Sequence, residues 1–301
     1  MKIPPFLPPL LRRACPRPLR LSSTVIGATA LELVILAGHV LIYPSGIAPE
    51  RRAPAPTPDT GTGTGTDPGS DPVRTTRSAD TPHTLPNPSD DRPPVVLLHG
   101  FIDNRSVFVL LRRSLARHGW HHLESLNYSP LTCDIRTAAE LLDRHVEEIC
   151  ARTGHREIDI VGHSLGGLIA RYYVQRLGGD RRVRTLVTLG TPHGGTAAAP
   201  LAGAHPIVRQ MRPGSGLIEE LRRPAPGCRT RFISFWSELD RVMVPVETAC
   251  VDHPDLDVVN VRVTGVGHLA LPVHPAVASA IRQALDSHGP AVGAEGSASV
   301  A

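Results

Sequence analysis

A serine hydroxyl acts as a nucleophile at neutral pH only when a neighbouring base accepts its proton. One serine in this chain stands in a setting built for that. Ser164 lies in the run Gly162-His163-Ser164-Leu165-Gly166-Gly167. The residues before it, Ile158 to Val161, read as the end of a buried strand. Those after it, Leu168 to Leu177, carry apolar positions at helical spacing. A serine between a buried strand and a helix sits on a sharp, strained turn, and glycines on both sides let the chain pass closely. Such a turn pushes the hydroxyl clear of the backbone, and the helix N-terminus behind it favours developing negative charge. An ordinary tight turn is the plainer reading of the glycines, but the strand–turn–helix context argues for a nucleophile elbow.

The base and its orienting acid should follow in the order serine, acid, histidine, each at the C-terminal end of a strand. Arg231 to Trp236 is strand-like, and the turn after it holds Asp240, with Glu238 as the rival acid. Asp240 is preferred because Leu239-Asp240-Arg241-Val242-Met243-Val244-Pro245 supplies apolar residues that would seat the loop. Asp252, Asp255 and Asp257 cluster in a segment that reads as an exposed loop. The next strand-like stretch, Leu256 to Val263, opens into a glycine loop that ends at His268. The chain has 15 histidines, so position must decide among them. His163 adjoins the nucleophile but is expected to point elsewhere; His193 and His274 are next to prolines in loops. Only His268 combines the post-strand position with the required order. Two N–H groups are also needed for the oxyanion of a tetrahedral intermediate. Leu165, after the nucleophile, offers one. Phe101, in His99-Gly100-Phe101 after the buried run Val95 to Leu98, offers the other.

The elements that position these residues alternate. Strands are expected at 95–98, 123–127, 157–161, 183–189, 230–236 and 257–263, and helices at 106–117, 135–152, 165–177 and 275–286. Alternation of this kind implies an α/β fold, with a mostly parallel sheet and helices on both faces. Between Thr196 and Cys228 the pattern breaks into short amphipathic pieces with many prolines and glycines. Leu201, Ile207, Val208, Met211, Leu217, Ile218 and Leu221 either line an acyl site there or pack two short helices on the core.

Composition divides the chain further. Residues 44–92 are rich in Pro, Thr, Gly, Ser and Asp and nearly devoid of large apolar side chains. They cannot bury enough surface to offset the entropy of ordering and read as a disordered linker. Residues 288–301 read as a disordered tail, leaving one catalytic domain over 93–287. Leu21 to Tyr43 is long enough to cross a bilayer as a helix, with Glu32 and His39 as ionisable exceptions. Lys2, Arg12, Arg13, Arg17 and Arg20 precede it, so residues 1–20 are expected in the cytoplasm and the catalytic domain outside. This makes the cell membrane the expected location, with a single-pass signal-anchor at 21–43; a cleaved signal peptide and a secreted domain are the alternative. The formal charge is +4 and Lys2 is the only lysine. No basic stripe interleaves with aromatics, which argues against nucleic acid as a partner. Histidines lack metal-ligand spacing and no phosphate loop is evident, so no metal and no cofactor is expected. Cys228 and Cys250 bracket the acid-bearing strand and loop. In an oxidising space their bridge would close a loop of about 20 residues and stabilise by about 3 kcal/mol. Cys133 and Cys150 pair only if Cys133 folds back from outside the helix.

Together, His99-Gly100-Phe101, the Gly162–Gly167 run, Thr188 to Thr196, Asp240 and Gly267-His268 resemble the bacterial secreted lipases and esterases of actinomycete type in the α/β-hydrolase superfamily. The likeness covers about Pro93 to Leu285. It implies an α/β-hydrolase fold with a small lid at about 196–227, a triad of Ser164, Asp240 and His268, and an oxyanion hole at Phe101 and Leu165. It implies hydrolysis of lipid or other apolar esters through an acyl-enzyme on Ser164. An acyltransferase with the same triad, or a non-catalytic surface-binding domain, are the alternatives.

Overall fold

The computed structural model describes residues 23–42, 92–101, 103–128, 134–198, 205–287 and 298–300. Helix α1 spans Ser23–Ile42. The domain then runs β1 (Val95–Leu98), α2 (Val109–Arg117), β2 (Leu123–Leu126), α3 (Ile135–Thr153), β3 (Ile158–His163), α4 (Leu165–Arg176) and β4 (Val183–Leu189). It continues with α5 (Pro206–Gln210), α6 (Gly216–Arg222), β5 (Arg231–Ser237), β6 (Asp257–Val263), α7 (Pro275–Asp286) and β7 (Ala298–Val300). The strands form one sheet in the order β2-β1-β3-β4-β5-β6-β7, and every described pairing is parallel.

The sheet separates two apolar cores because alternate strand residues face opposite ways. Val96, Leu98, Ile158, Ile160 and Leu186 face α3, α4, α5 and α6. Val95, Leu97, Val161, Val187 and Leu189 face α2 and α7. Helix α3 shows how sequence sets such an element. Its buried Ile135, Ala138, Ala139, Leu142, Val146, Ile149 and Cys150 recur at helical spacing. Asp134 caps it by accepting from the Thr137 N–H, and Gly154 ends it in the left-handed conformation. Burying one leucine-sized side chain contributes about 1.5–3 kcal/mol, so the Leu142 contact outweighs the cap, worth about 1 kcal/mol.

Four expectations change or narrow. First, among the described residues no helix is long and apolar enough to cross a membrane. Helix α1 rests on the domain. Ala28 is buried, Ile35 packs on the α2/α7 core, and the Glu32 carboxylate accepts from the Leu269 and Ala270 N–H groups at 3.2 and 3.0 Å. The carboxylate that is costly in hydrocarbon finds polar partners here. Second, the chain end read as disordered contributes β7, which pairs with β6 at Val261 to Val263; 288–297 lie outside the described residues. Third, of the two readings left open for the apolar side chains between Thr196 and Cys228, packing on the core is the one seen in those described. Ile207, Val208, Met211, Leu217, Ile218 and Leu221 are all buried against the α3/α4 side, and Arg136 ties α6 to α3 through Glu220. Leu201 lies outside the described residues. Fourth, Cys228 and Cys250 are free thiols. Cys228 precedes β5, whereas Cys250 follows Ala249, whose carbonyl accepts from Ser234 in the middle of β5, so the two lie at different heights on the sheet. Cys133 is outside the described residues, and Cys150 is free within α3.

Candidate active site

In an open parallel sheet, ligands bind beyond the carboxyl ends of the strands. All the sequence-predicted site residues occur there: Phe101 after β1, Ser164 after β3, Asp240 after β5 and His268 after β6. Ser164 has φ 53° and ψ −119°, and no other non-glycine among the described residues has positive φ. Such a conformation costs about 1–3 kcal/mol and persists only where the surroundings enforce it. Here the Ser164 N–H donates to Leu189 O at 2.9 Å, tying the elbow to the end of β4. A Cβ on Gly162 would lie 2.5 Å from the Gly167 backbone, and one on Gly166 would lie 2.2 Å from Leu98 O. Any side chain at either position would force the turn open. Leu165 is the first residue of α4, so its N–H has no intrahelical acceptor and is available to an anion. Helix α4 is buried from Leu165 through Val174, which makes the elbow's support rigid.

Strands β3 and β6 are three positions apart, about 14 Å at normal strand spacing. The loop after β6 must therefore lean back over the sheet to bring His268 near Ser164. The loop does reach the end of β3: the His268 ring centroid is 4.8 Å from that of His163, the residue before Ser164. Asp240 Oδ2 lies 2.7 Å from His268 Nδ1, and both side chains are buried. The other Asp240 oxygen accepts from the Val242 and Met243 N–H groups at 2.8 and 3.0 Å. Burial alone would raise the Asp240 carboxyl, but the His268 charge and hydrogen bond and the two backbone donors hold it below the usual value. Burial works to lower His268; the charge and hydrogen bond of Asp240, with further help from Asp103 and Glu32, raise it above 6.5. Glu238, the rival acid, is exposed and pairs with Arg262 instead.

Phe101 follows β1, and its ring meets His205 edge-on at 5.5 Å. The adjoining Gly100 approaches Ser164 so closely that a Cβ there would lie 3.3 Å from the serine Cβ. The loop after β1 and the elbow after β3 therefore meet at Gly100 and Ser164. Asp240, His268 and Gly267 also line a cavity of about 310 Å³ whose other wall is Ala28, Thr29, Glu32 and Leu33 of α1.

Two contributors were not read from the sequence. His163 does not point away: it reaches both Asp103 and His268. Glu32 was noticed only as a misfit in an apolar run, and that misfit was the available signal. His193 has the structural place expected of it, buried against the Thr188 hydroxyl.

Residues 94–225 match the family described as palmitoyl protein thioesterase. A triacylglycerol lipase of Pseudarthrobacter phenanthrenivorans is 30% identical over 116 residues, 36% of this chain and 35% of the relative. A triacylglycerol lipase of Burkholderia plantarii is likewise 30% identical over 116 residues, 36% and 32% of the two chains. The chain thus spans about a third of the length of the curated relatives it matches. Among solved structures, mature Bacillus licheniformis lipase BlEst2 aligns with TM-score 0.55 and 17% identity, covering 68% of this chain and 96% of that one. Aspergillus fumigatus lipase B aligns with TM-score 0.59 and 16% identity, covering 67% and 55%. At such identities the structural likeness speaks for the fold alone. The chain has the α/β-hydrolase fold.

Proposed function

We propose that this chain is a serine carboxylic-ester hydrolase acting on lipid or other apolar esters. The observations that support the reading are the buried Asp240–His268 pair and, at the same end of the sheet, a strained serine at a helix N-terminus. Asp240 accepts the Nδ1 proton of His268, which leaves Nε2 as the proton acceptor. Ser164 Oγ attacks the acyl carbonyl while its proton passes to His268 Nε2. The Phe101 and Leu165 N–H groups bind the oxyanion. The intermediate collapses, His268 returns its proton to the leaving alcohol, and the acyl group stays on Ser164. Water then repeats the sequence and releases the acid. A fluorophosphonate should label the chain at Ser164, and p-nitrophenyl esters should be hydrolysed. Labelling at another serine would sink the assignment.

The palmitoyl protein thioesterase match supports a second substrate class, acyl thioesters, which the same acyl-enzyme route would cleave. Comparing release of a thiol from palmitoyl thioesters with hydrolysis of the matching oxygen ester separates the two. Added alcohol that yields a new ester instead of free acid would identify an acyltransferase. We also propose that the domain works outside the cytoplasm, supported by the basic residues ahead of the apolar segment and the linker behind it. Protease added to intact cells should cleave the domain, and its full protection would overturn this location.

A further inference from the structure

Three of the loops that make the site leave the sheet from β1, β3 and β6, and one pair of side chains touches all three. Asp103 follows β1, two residues beyond Phe101. His163 ends β3, directly before Ser164. Asp103 Oδ2 lies 3.1 Å from His163 Nδ1, and His163 Nε2 lies 3.3 Å from the backbone carbonyl of His268. The His163 side chain is 1% exposed and that of Asp103 10%. The chain leaves room for this pair only because residue 100 is glycine. A Cβ there would come within 2.9 Å of Asp103 Oδ2 and 3.3 Å of His163 Nδ1.

A carboxylate and a carbonyl both accept hydrogen bonds, so both His163 nitrogens face acceptors to which a ring N–H can donate. The ring is thus held between an acceptor on each side, the carboxylate of one loop and the backbone carbonyl of another. Such an arrangement fixes the ring far more firmly than packing does, because tilting it breaks a charge-assisted bond. We propose that Asp103 and His163 are a positioning pair for catalysis: His163 holds the backbone of His268, and Asp103 holds the His163 ring. The oxyanion donor, nucleophile and base then share one rigid spacing across three separate strands. The proposal rests on the triad reading above. Neither side chain touches the reacting atoms; both act through His268.

The test uses His163→Leu, His163→Gln and Asp103→Asn in the full chain with p-nitrophenyl butyrate. Leucine fills the volume of the ring and cannot donate. Glutamine places an amide donor near the lost Nε2. An ångström-scale misplacement of a catalytic group costs on the order of a hundredfold in rate. His163→Leu should therefore lower kcat about a hundredfold with KM little changed, and His163→Gln should recover about tenfold of that loss. Asp103→Asn should lower kcat about tenfold. Wild-type kcat in His163→Leu would overturn the proposal. So would equal losses in the Leu and Gln variants that follow Tm alone, the mark of simple packing. A second arm needs no turnover. In the folded Ser164→Ala chain, proton–nitrogen spectra should show a slowly exchanging, hydrogen-bonded ring proton on His163 that is lost or exchanges fast in Asp103→Asn, and a ring proton that exchanges freely in both would overturn the arrangement. Failure of fluorophosphonate to label Ser164 would remove the hydrolase reading without moving that spectrum, so the two failures are distinguishable.

Discussion

Strand β3 carries a demanding polar residue at each end, and the two are handled in opposite ways. Near its start, Asp159 is fully buried and clasped by Arg184, whose guanidinium donates to the two carboxylate oxygens at 3.0 and 2.6 Å. The same guanidinium reaches Leu285 O at 2.7 Å, anchoring the end of α7. Every strong demand at this end is met within the chain. Just beyond the other end, Ser164 is held in strained backbone with its side chain making no cap bond to α4. The groups around it keep capacity in reserve: the Leu165 N–H lacks an intrahelical acceptor, and His268 is oriented through Nδ1 alone. A satisfied buried polar group secures the fold. An unsatisfied and strained one, enforced by the same sheet, is available to a substrate. The amino ends of the strands should therefore govern stability, and the carboxyl ends activity.

The contrast is sharpest at Ser164. Ser164→Ala should lower kcat by about four to six orders of magnitude, and His268→Ala nearly as much, because the residues act as a unit. Tm should stay close to wild type in Ser164→Ala. A large fall in Tm would show that the carboxyl end also carries the fold. Asp240→Asn should cost about three to four orders of magnitude in kcat, whereas Glu238→Gln should stay within about twofold. The reverse ranking would move the acid to Glu238. The base works as neutral imidazole, and Asp240 helps to raise His268 above the ordinary histidine value. In the wild type, then, activity falls as pH drops through a point above 6.5. Loss of the Asp240 charge should shift that acid limb downward, and a pH–rate profile of the residual activity reads the shift.

At the opposite end, Arg184→Ala leaves a fully buried carboxylate without its partner. Breaking such a pair costs about 3–5 kcal/mol, so the midpoint of urea unfolding should fall markedly. Fluorophosphonate labelling of the surviving folded protein should keep its wild-type rate. A large drop in that rate with little loss of stability would break the division between the ends.

The two ends were not equally legible in the sequence. Ser164, Asp240 and His268 were legible as candidates because chain order and strand ends constrain them: each follows an apolar run that has few alternatives. Phe101 and Leu165 followed from the same frame. Asp159 and Arg184 carried no signal, since a charge inside an apolar run looks the same whether paired or not. His163 was misread because only the register of β3 against the loop after β6 shows where its ring points. The amphipathic residues of α5 and α6 were compatible with both a lid and a core, and only their packing on α4 decides. Strand β7 was missed for a different reason. Its three residues are small and flanked by Ser297 and Ala301, so edge pairing with β6 rather than local propensity forms it.

The smallest expected effect lies at Glu32, where α1 meets the loop that bears His268. Its carboxylate binds the two backbone N–H groups that follow the histidine, so it holds the loop from outside the region that resembles the lipases. Asp240, by contrast, binds the imidazole itself. Glu32 is only partly buried, and a glutamine there still presents one carbonyl oxygen to the same N–H groups. Its charge is also the last-ranked of the influences that raise His268. Glu32→Gln should therefore change kcat by about threefold or less, with a slight downward move of the acid limb. Deleting residues 1–43 should likewise leave an active domain, since Asp240, His163 and the elbow still hold the histidine from within. A loss beyond tenfold in either variant, measured on p-nitrophenyl butyrate at equal folded concentration, would make α1 a working wall of the active site. The boundary between the catalytic machinery and the segment ahead of it would then have to be redrawn at Glu32.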